Sequence, residues 1–184
     1  MKLLLVLPFI IGLPALAACP AAPEITSDLD RLIDQANAAE TETAGRELSG
    51  QMWELWLKAP DAAAQDVLDR GMRASANRDF KSARDAFDQL IAYCPEYAEG
   101  FNQRAFVYFR QQEFEPALVD LEKALALSPK HVGAQSGRAL TLMHLGRLGE
   151  ARLQLQQALK NNPWLSERAL LTRGGPLAVQ GEEI

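Results

Sequence analysis

Small, apolar and aromatic side chains recur along this chain in one fixed order with a period of 34 residues. Aligned on Pro95, Pro129 and Pro163, the copies place Ala83, Ala117 and Ala151 twelve residues earlier, and Phe87, Leu121 and Leu155 eight earlier. Leu90, Ala124 and Ala158 stand five residues before the prolines, and Phe80, Phe114 and Leu148 fifteen before them. The first half of each copy carries a small residue (Gly71, Ala105, Ala139) and then Ala74, Tyr108 and Leu142. Apolar positions three and four apart predict helices. Breaks at "ANRD", "RQQE" and "HLGR" split every copy in two, and the prolines stop the second half. Each unit is therefore a helical hairpin, spanning 64–97, 98–131 and 132–165. Such helices are marginal alone, so the small residues that let a pair approach, and the stacking of copies, supply the core.

Helical periodicity also precedes the array. Ser27 is a candidate cap for a helix with Leu29, Leu32, Ile33 and Ala36 on one face. Thr41 or Thr43 can cap a second, carrying Leu48, Met52, Leu55 and Trp56, which Pro60 ends. Residues 28–60 are thus expected to form an N-terminal hairpin, a divergent repeat-like unit. After Pro163, residues 166–172 predict a short capping helix and 173–184 a flexible tail, broken by Gly174, Gly175 and Pro176.

Residues 1–17 read as an export signal, with Lys2, an apolar run interrupted by Pro8, and "ALA" at 15–17. "LAAC", ending at Cys19, resembles the lipobox of bacterial lipoproteins, which would extend the signal to 1–18 and acylate Cys19. The rival use of Cys19 is a disulfide to Cys94, the only other cysteine. The two readings give an exported, periplasmic protein or a membrane-anchored lipoprotein facing the periplasm. A lipid on Cys19 is the single route to a membrane in either.

Composition narrows the function classes. Almost half of the 184 residues are apolar, mainly Ala and Leu, which suits helices and points to an all-α chain. The net charge of −5 comes from interleaved acids and bases, so nothing resembles a phosphate-binding stripe, and no nucleic acid is expected. His131 and His144 have no carboxylate or Cys at metal-ligand spacing, and there is no phosphate loop or nucleophile elbow. No metal, cofactor, small-molecule substrate or catalytic residue is expected, and the chain reads as a non-enzyme.

The period, the small residues, the aromatics and the prolines of 64–165 together resemble the tetratricopeptide repeat family, and the whole chain more loosely resembles the small exported members of Gram-negative bacteria. Val67 and Gln135 depart from the pattern, standing where Phe101 supplies the opening aromatic. The resemblance implies a right-handed α-α superhelix whose first helices line a concave groove for a partner's peptide. Its matching positions are Gln65, Leu68 and Met72, then Glu99, Asn102, Phe106, Phe109 and Arg110, then Ser136, Leu140, Met143 and His144. Leu68, Met72, Asn102, Phe106, Phe109, Arg110, Leu140 and Met143 form the candidate site. Phe106 and Phe109 stand out because they lie outside the shared core pattern. Family members that grip a C-terminal carboxylate do so with Lys, Asn and Arg at positions that are Leu68, Met72, Gln103, Gly133 and Gly137 here, so apolar recognition is expected instead.

Two alternatives stay open at this point. The N-terminal helices or the tail could cover Phe106 and Phe109, and the array could be a self-associating structural component rather than a scaffold for an envelope partner. Arg70, Arg104 and Arg138 also recur at the repeat period; the expected role is structural, with stems on the core and heads on acids such as Asp85 or Asp120.

Overall fold

A computed structural model of the protein describes residues 18–178, so the export-signal reading of 1–17 and the last six residues lie outside it. Among the described residues eight α-helices occur and no strand: α1 (Thr26–Ala38), α2 (Glu42–Trp56), α3 (Ala62–Ala76), α4 (Phe80–Tyr93), α5 (Ala98–Arg110), α6 (Phe114–Leu127), α7 (Val132–His144) and α8 (Leu148–Asn161). A 3-10 helix, Ser166–Leu171, follows. Helix starts are set by short polar side chains: Asp61 accepts from the Ala64 amide at 2.8 Å, Asp79 from Ser82 at 3.1 Å, and Thr41 from Ala44 at 3.2 Å.

The chain folds as an all-α superhelical stack. Helices α3–α4, α5–α6 and α7–α8 pair as hairpins, and α4 packs on α5 and α6 on α7 to join them. The repeated small residues sit at the crossings. Ala83, Ala117 and Ala151 are fully buried, as are Phe87 and Leu155, and a Cβ at Gly71 would come within 2.5 Å of the Phe87 ring. The hairpin turns repeat too: Arg78 (φ 61°), Gln112 (φ 62°) and Gly146 (φ 74°) all adopt the left-handed conformation, and the third copy alone uses glycine. Because Ala117 is fully buried in α6, Ala117→Leu should destabilise the protein by about 1–3 kcal/mol in urea unfolding.

Two flanking segments depart from expectation. The pair α1–α2, expected as a divergent repeat, does not continue the stack. It crosses the concave face: α1 packs on α8, the Trp53 ring lies against Gly133, and the Trp164 ring lies against Gly45. The reason is steric. Gly45 and Gly133 carry no side chain, so an indole fits against each helix there and the hairpin can settle across the face. The described part of the tail, expected to be flexible, is held: Leu177 is fully buried, and Arg152 donates to the carbonyls of Leu177 and Ala178 at 2.7 and 3.1 Å. That apolar hook closes the end of the last repeat.

Candidate functional site

The inner face is built by α3, α5 and α7, with α2 laid across it. Between α2 and these helices runs a mainly apolar cleft of about 980 Å³. Met52, Trp53 and Trp56 wall it on one side, and Met72, Phe106 and Leu140 on the other. Phe106 is 51% exposed, so the hairpin narrows the groove without sealing it.

Of the residues proposed from sequence, Met72, Asn102, Phe106, Phe109, Arg110 and Leu140 line this cleft. Leu68 does not: it is fully buried in the core of the first repeat. Met143 packs into the cluster of the last repeat, around Leu142 and Leu155. Phe109 has a second occupation, since its ring meets Phe114 at 5.5 Å and His144 at 5.3 Å edge-on, so truncating it would also disturb the junction of the second and third repeats. Arg110 is likewise committed. It donates to the Ser75 carbonyl at 2.8 Å, closing the end of α3, and lies over the Phe80 ring at 4.9 Å.

Asn102 belongs to a buried polar node. Its amide donates to Glu99 at 3.1 Å, Gln103 donates to the same carboxylate at 2.6 Å, and His131 Nε2 meets it at 2.7 Å. His131 Nδ1 accepts the Ala134 amide at 3.2 Å, which leaves Nε2 as the nitrogen carrying the proton toward Glu99. The Trp56 ring stacks on the His131 ring with centroids 4.2 Å apart. Sequence spacing showed no carboxylate for His131; the fold brings Glu99 to it from the preceding repeat. Tyr97 then fixes the end of α2, donating to the Trp56 carbonyl at 2.6 Å. Burial, reinforced by the Glu99 and Asp69 charges, pushes the Tyr97 phenol well above its ordinary value, so it stays a donor.

Three buried groups on cleft residues lack a partner among the described residues: Trp56 Nε1, Ser75 Oγ and Ser136 Oγ. The arginine ladder faces elsewhere. Arg104 grips Asp120 with two bonds of 2.7 and 2.6 Å, and that contact raises its pKa despite partial burial. Arg138 donates to Gln154 at 2.7 Å and Arg70 to Gln89 at 2.8 Å, while Asp85 pairs with Lys81. The ladder is a set of hairpin braces. No group of His, Cys, Asp and Glu able to hold a metal ion occurs among the described residues.

Two family models, both described as tetratricopeptide repeat, match residues 68–121 and 108–163, together more than half of the chain. A TPR repeat-containing protein of Rhizobium etli is 27% identical over 118 residues, covering 64% of this chain and 58% of its own. Tetratricopeptide repeat protein 36 of Xenopus tropicalis is 33% identical over 129 residues, covering 68% of this chain and 61% of its own. The chain thus spans about three fifths of the length of these relatives. Among solved structures, the first TPR domain of Spaghetti (RPAP3), bound to an HSP90 peptide, superposes with a TM-score of 0.56 at 24% identity, over 58% of this chain and 84% of that one.

Proposed function

Because the chain belongs to the tetratricopeptide repeat family, we propose that it is a non-enzymatic interaction module that holds a peptide segment of an exported partner in the cleft between α2 and the inner helices. The observation that carries this is the half-exposed Phe106 ring in an apolar cleft of about 980 Å³. Desolvating such a ring favours an apolar side chain of the partner. Ser75 and Ser136, whose hydroxyls lack partners, can meet its backbone polar groups after a rotation of χ1. The structurally similar RPAP3 domain was solved with an HSP90 peptide of sequence SRMEEVD. An acidic tail of that kind does not suit this chain, which has Leu68, Met72, Gln103, Gly133 and Gly137 where carboxylate-gripping members carry cations and Asn.

The proposed location is outside the cytoplasm, in soluble form. Cys19 and Cys94 meet at disulfide distance, with Cα atoms 5.2 Å apart, and a sulfur committed to that bridge cannot also carry a lipid. This supports the soluble reading over the anchored one.

The test is affinity capture from envelope extract with the parent chain and Phe106→Ala side by side. A partner retained by the parent should bind the variant more weakly by about 2 kcal/mol or more, as truncated anchors do, with helix content unchanged. Phe109 is left intact because its loss would disturb packing as well. Equal retention by both chains would remove Phe106 from the site. A parent dimer in sedimentation that dissociates on Phe106→Ala would favour the self-associating alternative.

A further inference from the structure

The hairpin α1–α2 has a small core of its own. Leu29, Leu32, Ile33, Ala36, Met52 and Trp56 pack together, and the rest of the chain adds only Val132, with Trp164 and Leu165 at the edge. The middle of the hairpin rests on the junction of the second and third repeats, where Trp56 stacks on His131 at 4.2 Å, Trp53 faces Gly133 and Lys130 donates to Asp30 at 2.7 Å. Its two ends are fastened unequally. At the first repeat, Cys19 joins Cys94 and Tyr97 holds the Trp56 carbonyl at 2.6 Å. At the last repeat, Trp164 Nε1 donates to the Ala36 carbonyl at 2.9 Å while its ring lies on Gly45. Asn162 donates to Ser49 at 2.7 Å and Asn37 to the Lys160 carbonyl at 3.0 Å. The remaining contact there, Arg168 with Glu42 at 3.6 Å, is an exposed ion pair that holds little. One end is covalent and buried; the other depends on a half-buried indole and peripheral hydrogen bonds.

We propose that α1 and the N-terminal part of α2 form a hinged strap over the inner face, rooted on the first repeat and latched to the last by Trp164, whose release widens the cleft to admit the partner. A segment with its own core and one lightly fastened end opens at a lower free energy than the whole fold. A partner that prefers the open state then draws the population toward it. The proposal rests on the cleft being the docking site, yet its test needs no partner.

Hydrogen exchange of the full chain, read by mass spectrometry, decides it. In the parent, amides of residues 26–50 should exchange faster than those of α5 and α7. Trp164→Ala should accelerate exchange in 26–50 roughly tenfold or more and leave α4 to α7 unchanged. Asn37→Ala/Ser49→Ala leaves the indole in place and should act in the same direction more weakly, which covers any disturbance of the last repeat by Trp164→Ala. Gly45→Cys/Trp164→Cys supplies a covalent latch. A Cβ at 45 would press on Trp164 Cγ, so the two positions face each other directly across the latch. Oxidised, this variant should recover the slow exchange that Trp164→Ala loses, whereas Gly45→Ala/Trp164→Ala, with a Cβ at both positions but no bridge, should not. Uniform exchange from 26 to 161 that rises together in Trp164→Ala overturns the strap, and so does a covalent latch that restores no protection. A strap that opens as stated in a chain that retains no partner counts instead against the docking reading, so the two ideas fail separately.

Discussion

Glu99→Ala should destabilise the fold by about 3–5 kcal/mol, the combined effect of several unsatisfied buried donors and a small cavity. Glu99 is 1% exposed, His131 is fully buried, and the carboxylate receives donors from His131, Asn102 and Gln103 at once. Alanine would leave these three donors without an acceptor in a site shielded from water, and would leave a void beside them. The damage reaches the hairpin, because Trp56 is seated on the His131 ring. Glu99→Gln keeps the shape and one acceptor oxygen but adds donors where donors already converge, so its loss should be smaller, about 1–2 kcal/mol. Urea unfolding of the three chains should therefore rank parent, Gln and Ala in order of falling stability. A loss under about 1 kcal/mol for Glu99→Ala would mean the node is dispensable.

How much of this was legible in the sequence depended on range. The repeat hairpins rest on contacts between residues a few turns apart, and the period exposed them: Ala83, Ala117 and Ala151 are buried at the crossings. The departure at Gln135 also has a local solution. Its side chain donates to the Pro129 carbonyl at 2.8 Å and accepts from Asn161 at 3.0 Å, so a satisfied polar pair replaces the aromatic. The period sets Leu68 level with Asn102, and Met143 level with Phe109, both of which line the cleft; Leu68 and Met143 do not, because the apolar clusters of the first and last repeats take them in. Periodicity was silent on where the N-terminal hairpin lies. That is decided by contacts such as Trp164 to Ala36 and Asn162 to Ser49, 128 and 113 residues apart. The traces it left were glycines with no role in the repeat, Gly45 and Gly133, each facing an indole. Glu99 and His131, 32 residues apart, looked unrelated because neither carries a motif.

Removing the bridge between Cys19 and Cys94 should cost up to about 4 kcal/mol, the chain-entropy value for a closed loop of this length. The two cysteines are 75 residues apart, and the loop they close contains α1, α2, α3 and α4. Opening it returns that whole segment's freedom to the unfolded chain, while the folded chain loses the fastening of the hairpin to the first repeat. Cys94 is 1% exposed at the end of α4, its amide bonded to the Leu90 carbonyl at 2.7 Å, so serine there would bury a hydroxyl. Cys19→Ala/Cys94→Ala avoids that and leaves no free thiol. Its unfolding midpoint in urea should fall well below the parent's, and the exchange of α1 and α2 amides should quicken more than that of α7, which lies outside the loop. Intact mass of the parent should show a chain two hydrogens lighter than its reduced form, without added lipid. An acylated Cys19 would overturn the bridge, place the protein at a membrane surface, and leave Trp164 and its neighbours with Tyr97 as the main fastenings of the hairpin.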